Sequence, residues 1–324
     1  MQGVAATAGR ITPPRPPPRR GEVTKNPPKS PLLHADSPRN RLVGIGIVSI
    51  TFLCFALLDT GAKWLVVTVP VLQVVWLRFV SHVLFTAALL APRYGLGLVR
   101  SRHWGLQLLR ALMLPVMTAL NFWALQYLQL AETGAIQFSV PILIALMSVP
   151  ILGERLDLRR WIAILVGFVG VLAIIRPGTQ GFHPALVLSL INAVLYALFN
   201  LATRHLAAYD RPEATQFISA LGAAVLIAPF ALAVWQTPAT LLEWSVAILI
   251  GVSGGIGHYL LAVAHRYAPA SVLGPFLYQQ ILYMMLFGYL VFGDLPDAEV
   301  VLGGAVVVAS GLYLLWRERG RSAA

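Results

Sequence analysis

The chain has 324 residues, of which 58% are hydrophobic and only 11% are charged, and its mean hydropathy is +0.75. A soluble domain carries about 25% charged residues, so this composition excludes a water-soluble globule and favours a protein with many membrane spans. The net charge of +11 does not indicate a nucleic-acid partner, because the basic residues lie in a tail and in alternate loops. The one cysteine, Cys54, excludes a disulfide framework and a multi-cysteine metal site within one chain.

Residues 1–41 differ in composition from the rest of the chain. The stretch "TPPRPPPRRGEVTKNPPKSP" is rich in proline and basic residues and holds no apolar run, which predicts a disordered cytoplasmic tail. The tail is not a signal peptide, since no apolar segment precedes residue 43. A proline-rich ligand for another protein is the alternative interpretation.

The remaining chain divides into apolar runs of about the 20 residues that a helix needs to cross a bilayer. These runs do not alternate between apolar and polar residues as the strands of a membrane β-barrel do, so we predict helices. Proline and glycine residues mark the gaps between the runs. The ten predicted spans are residues 43–65, 70–91, 104–126, 131–151, 158–175, 184–204, 214–235, 241–264, 271–292 and 299–316.

The basic residues indicate the direction of the spans. Lys63, Arg78 and Arg110 lie within spans, and Arg176 lies in a loop that we place outside. Every other Lys and Arg falls in the N-terminal tail, in the loops on the opposite side or after the last span. Because cytoplasmic loops carry the excess of Lys and Arg, we predict that both termini are cytoplasmic.

The two halves of the chain resemble each other. The run "RFVSHVLFTAALLAP" in span 2 matches "QFISALGAAVLIAPF" in span 7, and "ILGERLD" before span 5 matches "VFGDLPD" before span 10. Between them, "NFWALQYLQLAETGA" aligns with "HYLLAVAHRYAPASV", which sets Asn121 against His258. Each half has five spans, an odd number, so the second half is predicted to be inverted in the membrane. Inverted repeats are typical of secondary transporters, whose site lies between the halves near the midplane.

Motifs in both halves are similar to those of a known family. They are "DTGAKWL" and "PVLQVVWLRF" in spans 1–2, and "FWALQYLQLAETGAIQFSVPILIALMSVPILGERLDLRRW" in spans 3–5. The second half contributes "HRYAPASVLGPFLYQQILYMMLFGYLVFGDLPD" and the closing "GLYLLWRER". Over residues 42–318 the chain resembles the EamA-type transporters of the drug/metabolite transporter superfamily. Its second half is similar to the branch that includes S-adenosylmethionine-like uptake carriers.

The resemblance implies an all-α integral membrane protein with two inverted five-helix repeats, residues 42–177 and 184–318. It further implies an alternating-access carrier with a central cavity among spans 1, 3, 4, 6, 8 and 9. Such a carrier works without ATP, and the lack of a P-loop motif in this sequence agrees. We expect neither a cofactor nor a metal.

Ionisable groups inside a membrane are functional hypotheses by default. Asp59, Lys63 and Arg78 all fall in the outer half of spans 1 and 2, which predicts a charge cluster at the outer gate or along the substrate path. In the alternative, Lys63 extends to the lipid headgroups and Asp59 forms a static bridge with Arg78. We expect Arg110 to reach the interface, His258 to be a structural or proton-carrying group, and His82 to be a candidate proton site.

Neutral polar groups in the spans are the candidates for contact with a substrate. Gln137 lies in span 4, Asn192 and Tyr196 lie in span 6, and Tyr278 and Gln279 lie beside a proline in span 9. Amides and tyrosines near such kinks can bind a polar metabolite, while an aromatic face contacts its apolar part. Trp123 is the candidate for that aromatic contact. Hydrogen bonding between helices is the alternative role of the polar groups.

Spans 5 and 10 carry small residues spaced four apart, namely Ala163 with Gly167 and Ala305 with Ala309. Such pairs allow helices to approach closely. The contact can form within one chain or between two copies, so both a monomer and a homodimer stay open.

We therefore predict a secondary active transporter, and not an enzyme, in the bacterial inner (plasma) membrane. It moves a small organic metabolite by rocking of its two halves. An amino acid, an amino-acid derivative or an S-adenosylmethionine-like compound fits the amides, tyrosines and aromatic faces of the spans. A multidrug or toxic-metabolite exporter of the same fold is the alternative. The direction of transport and its coupling to protons or a counter-substrate stay open.

An enzyme of another class is the last alternative. The run "GVSG", residues 251–254, has the form found around the serine of rhomboid intramembrane proteases, with Ser253 as the nucleophile. Such a serine needs a base within reach, and His258 is five residues away on the same predicted helix, where it points to another face. Packing by small residues explains this stretch more simply.

Overall fold

Apolar helices form most of the part of the chain that the structure describes. The computed structural model describes residues 37–140, 142–144, 146–147, 158–176, 182–206, 209–268, 273, 276 and 278–322. These residues belong to one compact unit, His34–Ala324. The predicted tail lies outside the described residues except at its last five positions.

Ten α-helices and no strands occur within the described residues. A 3-10 turn, Gly95–Val99, follows the second helix, and a π-helical turn, Gly288–Phe292, follows the ninth. The helices are α1 Pro38–Leu65, α2 Val71–Tyr94, α3 Trp104–Leu125, α4 Leu130–Gln137, α5 Leu158–Ile175, α6 Ala185–Leu206, α7 Pro212–Ala233, α8 Leu241–Tyr267, α9 Gln279–Phe287 and α10 Ala298–Ser322.

Six helices among the described residues are long and apolar enough to cross a bilayer, which confirms a multi-pass membrane protein. They are α1, α2 with its 3-10 extension, α3, α6, α7 and α8. The apolar stretches at α4, α5, α9 and α10 are shorter. Ten spans and the cytoplasmic placement of both termini therefore stay predictions.

The helix ends follow local sequence signals. Pro38 opens α1, and the Ser37 side chain accepts a hydrogen bond from the N–H of Asn40 at 3.2 Å. At the start of α8 the Glu243 N–H donates to Thr240 Oγ1, and the Thr240 N–H donates to the Glu243 carboxylate. This reciprocal capping box satisfies two backbone donors that a helix N-terminus leaves without partners.

The helices pack mainly across the two halves of the sequence. The most extensive interfaces join α1 to α8, α5 to α10, α2 to both α7 and α8, and α3 to both α6 and α7. If α1–α5 are matched in order with α6–α10, the α1–α8 contact corresponds to α3–α6, and α2–α8 corresponds to α3–α7. The packing of the helices therefore shows the same twofold repeat as the sequence. The halves are interleaved, so they do not form two separate bodies.

The pairing of α5 with α10 depends on small residues. A Cβ at Gly170 would lie 2.8 Å from the Gly303 carbonyl oxygen, and one at Gly303 would lie 2.7 Å from that of Gly170. Ser310 Oγ donates to the Ala163 carbonyl oxygen at 2.5 Å. Small residues of the two helices thus pack against each other within one chain, but on α10 they are Gly303 and Ser310, whereas the predicted pair Ala305 and Ala309 is exposed.

Candidate functional site

A central cavity of about 150 Å³ lies among helices of both halves of the chain. Side chains of α1, α2, α3, α4, α6, α8 and α9 line the cavity, together with Phe138 directly after α4. Its polar lining residues are Asp59, Arg78, Thr118, Asn121, Thr133, Gln137, Asn192, Tyr196, His258 and Gln280. Ligand pockets usually measure about 300–1,000 Å³, so this cavity is smaller than a usual ligand pocket.

Asp59 presents its carboxylate to the cavity from α1. Its Oδ1 accepts a hydrogen bond from Asn121 Nδ2 on α3 at 3.0 Å. Among the described residues, no cationic nitrogen lies within the 4.0 Å of an ion pair with this carboxylate. The carboxylate therefore keeps acceptor capacity for a ligand.

Arg78 faces the same cavity from α2 and is only 5% exposed. One terminal nitrogen, NH1, donates to Thr118 Oγ1 at 3.2 Å, and the guanidinium lies over the Phe79 ring at 4.4 Å. Its Nε is buried without a hydrogen-bond partner among the described residues. A guanidinium has five N–H donors, so Arg78 retains donors for an anionic group.

Lys63 is separate from these two charges. Its Nζ lies 2.6 Å from Asp294 Oδ2, just after the π-helical turn, and donates to the Leu128 carbonyl oxygen at 3.1 Å. It also lies 4.7 Å from the centre of the Phe292 ring. Lys63 thus ties the end of α1 to the segments that follow α3 and α9, one from each half of the chain.

Two histidines stack beside the cavity. The ring centres of His82 on α2 and His258 on α8 are 6.0 Å apart with an interplanar angle of 16°, and Phe55 packs edge-on against His258 at 4.8 Å. His258 lines the cavity. His82, the other ring of the stack, is buried, and neither of its ring nitrogens has a partner among the described residues.

The structure separates the ten sequence-predicted residues into two groups. Six of them line the central cavity: Asp59, Arg78, Gln137, Asn192, Tyr196 and His258. The other four do not line it: Lys63, Trp123, Tyr278 and Gln279.

Two of the four lie one position from a cavity residue. Trp123 is 37% exposed, whereas its neighbour Phe122 is buried and lines the cavity. The Gln279 side chain accepts from Ser49 Oγ at 2.9 Å and donates to Tyr283 Oη at 2.8 Å, while Gln280 faces the cavity. One residue turns the side-chain direction by about 100° in a helix of 3.6 residues per turn, which accounts for both differences.

Tyr278 packs edge-on against Phe138 at 5.2 Å, and its buried hydroxyl has no partner among the described residues. Its ring therefore supports the wall formed by Phe138 without lining the cavity itself.

Arg110 also differs from the expectation that its side chain reaches the membrane interface. It is buried, donates to Ser219 Oγ on α7 at 3.0 Å and lies over the Phe199 ring at 4.2 Å, because α6 and α7 offer these partners within the protein.

Sequence reasoning did not select Asn121, Thr118 or Thr133 as site residues. A signal for Asn121 was available, because the repeat alignment pairs it with His258 and both residues line the cavity. Thr118 and Thr133 carry no comparable signal, since buried threonines are common in helices. Their roles depend on neighbours that only the folded chain supplies.

The model of the EamA-like transporter family matches this chain twice, over residues 42–176 and 183–317. The chain therefore belongs to the EamA-like transporter family. This membership agrees with the sequence-based resemblance, and it points to a transporter rather than an enzyme such as a protease acting through Ser253.

Several curated proteins are similar along much of their length. An S-adenosylmethionine uptake transporter of Rickettsia bellii (strain RML369-C) is 24% identical over 287 residues, which covers 88% of this chain and 97% of that protein. A riboflavin transporter of Vibrio cholerae serotype O1 is 30% identical over 229 residues, covering 69% and 76%. The pseudopaline exporter CntI of Pseudomonas aeruginosa is 25% identical over 278 residues, covering 86% and 97%.

A solved crystal structure of a protein has the same fold. It aligns with a TM-score of 0.61 and 21% sequence identity over 88% of this chain and 99% of that one. At this level of identity, the likeness concerns the fold alone.

Proposed function

We propose that the chain is a secondary active transporter that carries a small zwitterionic metabolite across the bacterial inner membrane by alternating access. The observation that carries the proposal is the pair of opposite charges in the central cavity. Asp59 and Arg78 both line it, each has one side-chain hydrogen bond to the protein, and they form no ion pair with each other.

Asp59 and Arg78 attract each other through space, but no hydrogen bond joins the two side chains. A ligand that brings a hydrogen-bonded opposite charge to each group is therefore favoured. A zwitterion does this with one molecule: its ammonium group binds Asp59 and its carboxylate binds Arg78 through charge-assisted hydrogen bonds. Gln137, Asn192, Tyr196 and His258 add polar contacts. An amino acid, an amino-acid derivative and an S-adenosylmethionine-like compound all meet this requirement.

The relatives support transport without selecting the substrate. They are named for three different compounds, and the names include both an uptake transporter and an exporter. The choice of a zwitterion therefore depends on the charges of this cavity. The stacked His82 and His258 are the candidate groups for coupling of transport to protons.

The proposed transport cycle opens the cavity to one side at a time. Lys63, Asp294 and the Leu128 carbonyl group link segments of both halves at one end of the helices, and we assign them to the outer gate. Because the two halves are interleaved, each group of helices that moves during transport has to contain helices from both halves. The proposed transporter has two inverted repeats, residues 42–177 and 184–318, and both of its termini lie in the cytoplasm.

A multidrug or toxic-metabolite exporter is the second candidate function. The apolar side of the cavity favours it, since five phenylalanines line the walls: Phe52, Phe55, Phe122, Phe138 and Phe199. An apolar drug would nevertheless supply neither charge that Asp59 and Arg78 favour in a ligand.

Thermal unfolding with matched ligands distinguishes the two functions, because a ligand that binds the folded state raises its stability. The ligand set pairs each amino acid with its methyl ester, which lacks the carboxylate, and its N-acetyl form, which lacks the ammonium group. We expect stabilisation by one or more free amino acids and weaker stabilisation by both blocked forms. In Arg78→Gln the preference over the ester disappears, and in Asp59→Asn the preference over the N-acetyl form disappears. Stabilisation by apolar drugs that is unaffected by either substitution would instead support the exporter.

A further inference from the structure

A groove lies away from the central cavity, at the junction of the α2–α3 and α6–α7 connections. A groove of about 710 Å³ opens between the 3-10 turn, the segment before α3 and the start of α7. Three arginines line it: Arg100, Arg102 and Arg211. We call it the arginine groove.

The three arginine side chains are available to a ligand. All three residues are exposed, and none of their side chains forms a hydrogen bond or ion pair within the part of the chain that the structure describes. By contrast, Arg176 at the opposite ends of the helices pairs with Asp297 and Glu299. The arginine groove thus concentrates three cationic groups without protein partners.

Asp210 is the one carboxylate among the described lining residues, and its oxygens are already occupied. It accepts hydrogen bonds from the Ser101 hydroxyl, from the Arg102 N–H at 2.9 Å and from Gln107 Nε2 at 2.9 Å. Burial raises its pKa, but these hydrogen bonds and nearby His103 outweigh burial and leave the pKa below its ordinary value. Asp210 therefore stays ionised at neutral pH.

This carboxylate also orders the backbone beside the arginines. The backbone N–H of Arg102 donates to Asp210, and Arg211 directly follows Asp210 in the sequence. A preorganised backbone reduces the entropy that a ligand has to remove on binding. The hydrogen-bonded carboxylate is therefore better suited to hold the two arginines in place than to neutralise them.

Helix α7 starts at Pro212 beside the groove, and its first turn already holds a carboxylate, Glu213, which accepts a hydrogen bond from the Tyr94 hydroxyl. The attraction for an anion therefore comes from the three arginine side chains and not from the helix end. One further feature indicates the surroundings of the ligand. Leu96, on the rim, is 76% exposed and offers an apolar contact where α2 ends.

We infer that the arginine groove binds a phosphate group. The headgroup of an anionic phospholipid and free phosphate share this chemistry. The position at helix ends, the exposed Leu96 and the predicted cytoplasmic face favour the lipid, because basic pockets on that face bind anionic headgroups. This site is independent of the substrate cavity.

The test measures thermal unfolding of the full chain in a neutral detergent, followed by tryptophan fluorescence. The probes are phosphatidylglycerol, phosphatidylcholine and inorganic phosphate. We expect phosphatidylglycerol to raise the Tm, phosphatidylcholine to have little effect, and added salt to weaken the response. A rise with inorganic phosphate that matches phosphatidylglycerol would assign the site to free phosphate.

Matched variants tie the response to the groove. Arg100→Gln with Arg211→Gln should weaken phosphatidylglycerol binding about 25-fold, since each arginine near the surface contributes about fivefold. Arg39→Gln with Arg159→Gln removes two exposed arginines elsewhere on the predicted cytoplasmic side and should leave binding unchanged. If the first pair does not fold, the single variants Arg100→Gln and Arg211→Gln give the same readout. Equal responses of the two pairs, or no response of the unchanged protein to any phosphate probe, would overturn the inference.

Discussion

Asp59 and Arg78 both line the central cavity, and among the described residues each has one side chain as a hydrogen-bond partner, Asn121 and Thr118. The surrounding helices fix them by packing: Phe79, next to Arg78, is fully buried, and Asn121 orients the Asp59 carboxylate. Such an arrangement is unfavourable for folding, which agrees with the proposed role of the two charges in substrate binding.

The first prediction concerns stability without ligand. Asp59→Leu combined with Arg78→Met removes both charges while keeping much of the side-chain volume, so we expect the free energy of unfolding to stay unchanged or to rise by about 1–4 kcal/mol. Phe79→Ala, at the buried position next to Arg78, should lower it by about 3–5 kcal/mol. Thermal unfolding of the double variant and of Phe79→Ala checks this. A large loss of stability in the double variant would show that the two charges are structural.

The second prediction concerns the pairing of Lys63 with Asp294. Lys63→Met and Asp294→Asn should each reduce stability, and the double variant should lose less than the sum, with a coupling energy of about 0.5–3 kcal/mol. A double-mutant cycle by thermal unfolding measures this energy. Lys63→Met combined with Asp297→Asn is the control, since Asp297 pairs with Arg176, and additive effects are expected there. Additivity in the Lys63–Asp294 cycle would remove the basis for an outer gate.

At the scale of helices, the sequence predicts position better than rotation. The spans of α1, α2, α3, α6, α7 and α8 follow from long apolar runs and from prolines, which are local signals. Gln280 faces the cavity and Gln279 does not, because of the rotation of α9 about its own axis. No local sequence signal specifies this rotation. The Lys63–Asp294 contact joins residues 231 positions apart, so it depends on the assembled fold.

The third prediction tests the close approach of α5 and α10. Gly170→Val would place side-chain atoms against the Gly303 carbonyl group and Val307, so we expect the free energy of unfolding to fall by about 1–3 kcal/mol or more. Gly46→Val in α1 is the control, because no atom lies within 4 Å of a Cβ there. Thermal unfolding should separate the two variants. Equal Tm values would mean that α5 and α10 are not in close contact.

The fourth prediction concerns pH and the loop that Asp210 orders. Because the native pKa of Asp210 is lowered, its ionised form contributes stability that is fully present above the ordinary carboxyl pKa of about 3.9. This contribution is lost as the pH falls through the native pKa. Asp210→Asn should therefore be less stable than the unchanged protein at pH 7, and the difference should shrink in acid. A difference in Tm that stays constant from pH 7 down to pH 3 would contradict this origin.

At the scale of the whole molecule, the twofold pattern of the sequence recurs in the packing of the helices. The contact of α1 with α8 corresponds to that of α3 with α6. The sequence predicts the twofold repeat and a transport mechanism by rocking of the two halves, but not which helices pack together. The structure interleaves the two halves, because the most extensive interfaces join helices of different halves. The cavity consequently receives residues from both repeats, Asp59 and Asn121 from the first and Tyr196 and His258 from the second.

Transport in proteoliposomes tests the central claim most directly, with a labelled amino acid identified by its effect on thermal unfolding. The unchanged protein should exchange it across the membrane. Asp59→Asn and Arg78→Gln should each reduce the rate at subsaturating substrate by at least about tenfold, since hydrogen bonds to charged groups contribute about 1.5–3 kcal/mol. Trp123→Phe, outside the cavity, should transport normally. Undiminished transport by Asp59→Asn and Arg78→Gln would contradict the assignment of these two charges as the substrate site.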